Sequence, residues 1–356
     1  MQRSLKLNAR VTRLNPRLIK LGWLLILLVA AVTFPLVSSS AYVDSVAVFT
    51  LIYASLAASW NIFAGYTGYN ALGHTVYFGF GAYTMALISV NQNLPGGFGL
   101  FLLVPVAGVV AALVAVPLGW ISLRTRGHAF VVITLIAVFI FQLLAFNLRG
   151  ITLGSTGIFL PAPGFSPDWF FLPYFYVQLA ILALALLVSW YIRSSRYGLW
   201  LLAIRDDEDR AEGLGVRTGA SKLSAFVISA FFTGMIGAMY AYFIGSIYPQ
   251  YVFDPALSIT LVLMAFLGGI GTLSGPVVGA LILEPAQQYF SLNAQTGYYQ
   301  IFLGALFLII MLLLPQGIVR SLFRLWSAWR VRRGAGGSPV APERPEQPER
   351  PAVAVE

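Results

Sequence analysis

The chain has 356 residues, 58% of them hydrophobic and only 10% charged, with a mean hydropathy of +0.81 and a formal charge of +9. Soluble domains carry about 25% charged residues, so the composition excludes a water-soluble globular protein and predicts a polytopic membrane protein. It has no cysteine, which excludes disulfides, thiolate nucleophiles and Cys-ligated metals.

Residues 1–20 hold six basic residues and no acid, and an apolar run follows over 21–37. With many apolar runs behind it, this segment reads as an uncleaved first span, a cleaved signal peptide being the rival. Further runs cover 43–64, 74–90, 99–121, 128–147, 173–192 and 223–246, with a last one over 298–314. Between these last two lie 257–267 and 277–290, each short for a full span. If the N-terminus is inside, 21 of the 22 Lys and Arg are cytoplasmic and Arg149 alone is outside, so positive charge marks orientation rather than a nucleic-acid surface. Both termini then finish inside only if 257–290 crosses twice or not at all.

The expected fold is an all-α polytopic membrane protein of about 8–10 transmembrane helices, with Gly-rich broken or re-entrant segments. A basic N-terminus (1–20) precedes the membrane domain (21–320), which carries a cytoplasmic loop over 193–222. The tail (321–356) is Pro-, Gly- and Glu-rich and reads as disordered from about residue 334.

Two glycine-rich breaks interrupt the apolar pattern: "NIFAGYTGYNALGHTVYFGFGAY" (61–83) and "GGIGTLSG" (268–275). Paired interruptions in the two halves of a chain point to a transport site, and close helix packing through small residues is the alternative for any one glycine. Candidate pathway residues are Asn61, Gly65, Gly68, Tyr69, Gly73 and His74 in the first break and Gly268, Gly269 and Gly271 in the second. Glu284 lies mid-segment and needs a partner or cavity, whereas Asp44 sits at a span end where water reaches it.

Enzymatic chemistry has little support. His74 and His128 form no HExxH-like pair, and a GxxxxGK[ST] loop is absent, so energy from ATP would have to enter through another subunit. By contrast, "AIRDDEDRAEGLGV" (203–216) packs seven charged residues into fourteen positions. The pattern predicts a short helix beginning near Asp206, with an Asp206–Arg210 pair at i, i+4, a stripe of Leu201, Ile204, Ala211 and Leu214, and a "GLG" cap. Its mixed charge suits an oriented protein contact better than a bare topology signal.

Six ordered motifs resemble the membrane subunits of branched-chain amino-acid ABC importers of the LivM type: "NIFAGYTGYNALGHTVYFGFGAYT", "LRTRGHAFVVITL", "TLGSTGI", "SRYGLWLLAIRDDEDRAEGLGV", "KLSAFVISAFFTGMIGAMYA" and "LGGIGTLSGPVVGAL". The resemblance covers about 43–320 and implies that Arg205, Asp206, Asp207, Glu208, Glu212, Gly213 and Gly215 form the coupling contact to a separate ATPase. It also implies a second related permease, two ATPase subunits holding ATP and Mg, a periplasmic or extracellular solute-binding protein, and a place in the bacterial or archaeal cytoplasmic membrane. No cofactor is expected on this chain, and membrane lipids but no nucleic acid are expected as partners. The loop 148–172, with Arg149, Thr152, Gly154, Thr156 and Gly157, would receive the binding protein.

The chain departs from the family pattern at Tyr69 and Ala71, where Gln and Ser are common, and at Phe139 and Gln142, where Glu and Arg are common. These positions fall near the pathway, Tyr69, Phe139 and Gln142 being pathway candidates, so the solute could be a branched-chain amino acid or another small neutral molecule such as urea or a short amide. A stand-alone secondary transporter or channel, with Glu284 as coupling site, and an integral membrane enzyme are the competing classes.

Overall fold

The computed structural model describes residues 33–35, 40–293, 304–305 and 317–318. Apart from 33–35 and 304–305, the expected spans at 21–37 and 298–314 lie outside the described residues, as do the basic segment 1–20 and the tail from 321.

Helix α1 (Ala41–Trp60) continues into a π-helical turn, Asn61–Gly65, and α2 (His74–Asn91) follows the first break. A 3-10 turn, Phe98–Leu102, leads into α3 (Leu103–Ser122), and α4 (His128–Asn147) comes next. The following connection holds a short helix α5 (Arg149–Thr152) and a strand β1 (Ile158–Phe159). Then come α6 (Phe171–Ser194), α7 (Arg196–Asp206), α8 (Glu208–Gly213) and α9 (Thr218–Ile244). Strand β2 (Ser246–Ile247) pairs antiparallel with β1, and α10 (Pro249–Val252), α11 (Pro255–Gly268) and α12 (Gly275–Asn293) complete the described bundle.

Six helices among the described residues are long and apolar enough to cross a membrane: Ala41–Gly65, Phe98–Ser122, His128–Asn147, Phe171–Ser194, Thr218–Ile244 and Pro249–Gly268. Two expected spans fall short of that standard. Helix α2 is diluted by His74, Thr75, Gly79, Gly81, Thr84 and Ser89, and α12 by Glu284, Gln287 and Gln288. Such polar content is tolerated because α2 is packed in the bundle, with His74, Thr75 and Ser89 fully buried.

Small residues set the packing. A side chain at Gly81 would collide with the Gly234 backbone, and one at Gly237 with the Phe78 backbone, so α2 and α9 touch main chain to main chain. The outer helices are the reverse case: α4 turns Val132, Ile136, Phe139, Ile140 and Leu143 away from the bundle, the pattern of a helix facing lipid or another subunit.

The 257–290 region folds as two antiparallel helices. Gly268 and Gly279 of this pair lie so near the backbones of Gly275 and Met264 that neither has room for a β-carbon. The turn between α11 and α12 reaches Asn61 at the end of α1 and Arg193 at the end of α6. The turn of the pair therefore lies level with the ends of α1 and α6.

Candidate functional site at the glycine breaks

The two breaks, about two hundred residues apart in sequence, meet in space. Asn61, in the π turn, donates from Nδ2 to the Thr272 carbonyl at 3.0 Å and accepts from the Gly271 N–H through Oδ1 at 2.8 Å. One side-chain amide thus satisfies two backbone groups that an interrupted helix leaves unpaired. Gly271 has φ +73°, and a β-carbon there would lie 2.8 Å from the Gly65 carbonyl, so both its conformation and its contact require glycine. The first break is held separately: Trp60 Nε1 donates to the Ala71 carbonyl at 2.8 Å, and the Tyr66 and Ser189 hydroxyls are hydrogen-bonded at 2.7 Å.

The charged segment lies directly against this junction. Arg205, at the end of α7, donates from Nη1 to the Gly65 carbonyl at 2.7 Å, and the same atom occupies the place a Gly271 β-carbon would need. Arg193 donates to the Gly271 carbonyl at 3.2 Å. Glu208, at the start of α8, accepts from the Tyr69 hydroxyl and from Lys222 Nζ, the latter at 2.5 Å. Lys222 also lies over the Tyr69 ring, 4.5 Å from its centre, and donates to its hydroxyl at 3.2 Å. Arg126 adds an ion pair to Asp209 at 2.7 Å.

This environment fixes protonation. Burial pushes the Glu208 carboxyl up, but the Lys222 and Tyr69 hydrogen bonds and the charges of Lys222 and Arg126 outweigh it and hold the group below the usual carboxylate range. Burial, together with the bond to Glu208, raises the Tyr69 phenol, which stays protonated and donates.

The short charged helix is present and begins at Glu208, two residues beyond Asp206, with acids in its first turn, but the local architecture corrects two other expectations. Asp206 ends α7, and Asp207 caps α8 by accepting from the Arg210 N–H at 3.1 Å. The ion pair is accordingly Asp207–Arg210 at 2.8 Å, spaced i, i+3, rather than Asp206–Arg210. Leu201, Ile204 and Ala211 are buried, but Leu214 is 85% exposed, because α8 stops at Gly213 and the apolar stripe ends with it. A Schellman-type closure follows, with Val216 N–H on the Ala211 carbonyl, Gly215 N–H on that of Glu212, and Gly215 at φ +85°.

The proposed coupling residues therefore divide. Asp206, Glu212, Gly213 and Gly215 are exposed; Asp207 is partly buried at the cap; Arg205 and Glu208 point inward to the breaks. The pathway candidates divide as well. Asn61, Gly65, Gly68, Tyr69 and Gly271 gather around Arg205 and Glu208. Gly73 packs against Thr134 of α4, and Gly268 and Gly269 lie on the α11 side of the second break. His74 is buried, its Nε2 hydrogen-bonded to Ser229 Oγ at 2.7 Å, and Ser229 donates to the Ser59 carbonyl. Gln142 donates to the Phe253 carbonyl, whereas Phe139 faces outward. Glu284 is buried on α12 and accepts from Gln288 at 2.9 Å, far along the helix from the junction.

On the opposite loop, Arg149 and Thr156 are exposed, while Thr152, Gly154 and Gly157 are buried. Thr152 Oγ1 donates to the Ala145 carbonyl at 2.6 Å, which fixes the turn rather than presenting a surface. Two junction residues went unnoticed in the sequence: Arg193 and Lys222 counted there only as topology signals.

Interrupted helices, a buried junction of glycine backbones and a charged appendage bonded to it thus meet at one end of an apolar helical bundle. The family described as "Branched-chain amino acid transport system / permease component" matches residues 42–311. The chain is 31% identical to the high-affinity branched-chain amino acid transport system permease protein LivM of Escherichia coli (strain K12), over 83% of this chain and 74% of that protein. It is 27% identical to the corresponding LivH of Salmonella typhimurium, over 75% and 91%, and 25% identical to the ribose import permease protein RbsC of Haemophilus influenzae, over 65% and 72%. No solved structure matches. The chain belongs to the branched-chain amino acid transport permease family, and is a multi-pass membrane permease of an ABC transporter that has other subunits.

Proposed function

We propose that this chain forms half of the membrane pathway of an ATP-driven importer that carries branched-chain amino acids or a related small neutral solute by alternating access. A second, related permease completes the pathway, two ATPase subunits bind ATP and Mg, and a solute-binding protein delivers the solute from outside. Both termini and the charged segment face the cytoplasm, in keeping with the distribution of Lys and Arg. The observation that carries the reading is the direct bonding of that segment, through Arg205 and Glu208, to the first interruption of the bundle, with the Arg205 guanidinium packed against Gly271 of the second. A segment built only to fix topology needs no such contacts. The scarcity of charged residues within the apolar spans suits a zwitterion with an apolar side chain.

Affinity purification of the tagged chain in mild detergent, followed by reconstitution with what co-purifies, tests this. Recovery of a second permease and two ATPases, with uptake that requires ATP, is the expected result. Recovery of the chain alone, active in liposomes without ATP, would overturn it in favour of a secondary transporter.

A further inference from the structure

The resemblance places Arg205 with the residues that touch an ATPase, but its guanidinium is turned the other way. Nη1 reaches the Gly65 carbonyl at 2.7 Å and fills the space beside Gly271, while the side-chain stem packs along Gly68, where a β-carbon would meet Arg205 Cγ at 3.0 Å. Gly65 and Gly68 belong to the first break and Gly271 to the second. A single side chain on α7 therefore touches both, in a junction where Asn61 already bonds one break to the other. Glu208 supplies a second attachment, to Tyr69 of the first break.

From these contacts we infer that Arg205 is the positioning residue that makes the charged segment and the two breaks move as one body. This rests on the importer reading and assigns Arg205 a task different from docking. A guanidinium suits the position because it is planar, permanently charged and multiply donating, and its Nη1 can hold a carbonyl of one segment while filling the gap beside another. Lysine could keep one bond but would not fill that gap. The exposed residues Glu212 and Leu214 remain free to meet another protein while Arg205 works inward.

The test uses the complete complex reconstituted in liposomes, with ATP hydrolysis and solute uptake measured side by side for the wild type, Arg205→Ala and Arg205→Lys. The Ala variant is expected to assemble and hydrolyse ATP at about the wild-type rate while uptake falls about tenfold or more, the equivalent of one lost charge-assisted hydrogen bond. The Lys variant should recover part of that uptake. In parallel, spin labels at positions 210 and 274, introduced into a chain that has no cysteine of its own, report the distance between the charged segment and the second break. That distance should stay fixed through the ATP cycle in the wild type and in the Lys variant, and broaden in the Ala variant.

Unchanged uptake in the Ala variant overturns the inference, as does a distance that already changes during the wild-type cycle. Parallel loss of assembly, hydrolysis and uptake in both variants would make Arg205 a packing or docking residue instead. Wild-type uptake that ignores ATP would overturn the importer reading itself.

Discussion

The Tyr69 hydroxyl donates to the Glu208 carboxylate, joining the first glycine break to the charged segment across 139 positions of sequence. Glu208 is simultaneously the counter-ion of Lys222, whose side chain is 3% exposed. The glutamate is thus an internal anchor, although it sits in the most polar stretch of the chain.

Glu208 and Glu212 look alike in sequence but should respond differently to charge reversal. Glu208→Lys places a second ammonium beside buried Lys222 and is expected to destabilise the chain by about 3 kcal/mol, as breaking a buried pair does. Glu212→Lys, on an exposed position, should stay within about 0.5 kcal/mol of wild type. Thermal unfolding in detergent separates the two, and ATP-driven uptake should be lost in both. Equal unfolding temperatures would remove the anchor role.

Acidity should act through the same carboxylate. A carboxyl whose folded pKa is depressed contributes stability above its unfolded value of about 4.3 and loses it as pH falls through the lower folded value. The Glu208 contribution should therefore be level from about pH 8 to 5 and decline only below about pH 4. Glu208→Gln should flatten this acid limb of an unfolding-temperature profile. An unaltered limb would place the acid sensitivity elsewhere.

Two glycines of the candidate site offer a sharp contrast. Gly271→Ala meets both a left-handed φ of +73° and the Gly65 carbonyl, and should cost at least about 1–2 kcal/mol along with most uptake. Gly213→Ala has open space around it and closes a helix, so the fold should be unharmed or gain up to about 1 kcal/mol. Unfolding of the two variants, measured together, would show whether the second break tolerates a β-carbon.

Leu214 is a large apolar side chain with 85% of its surface exposed, beside exposed Glu212 and Gly215. Leu214→Ser should leave the unfolding temperature unchanged while reducing recovery of ATPase subunits in a pull-down. Full recovery would mean that the contact surface lies away from the end of α8.

Much of the architecture was legible because apolar runs are local: the expected span 128–147 coincides with α4, and the short halves of 257–290 became α11 and α12. The pairing of the two breaks was legible as a pattern of glycines, but their contact was not, since Asn61 and Thr272 meet only after folding. In the run Asp206, Asp207, Glu208, Asp209, more than one acid lies within reach of Arg210 along a helix. What selected Asp207 was its extended backbone at the cap, which helical spacing alone does not encode. Leu214 was misplaced for a related reason: the apolar stripe can be counted past Gly213, but the helix that carries it cannot. Arg193 and Lys222 were hidden because a basic residue at a span end has the same appearance whether it signals orientation or bonds a junction.

Strand pairing of Ile158 with Ile247 ties the loop carrying Arg149 and Thr156 to the C-terminal end of α9. The other end of the same helix carries Lys222, bonded to Glu208. Twenty-seven residues of continuous helix span about 40 Å. One continuous helix therefore has one end at the strand-paired loop and the other at the charged appendage, so the two ends of the bundle are joined by an unbroken ladder of main-chain hydrogen bonds as well as by the glycine junction.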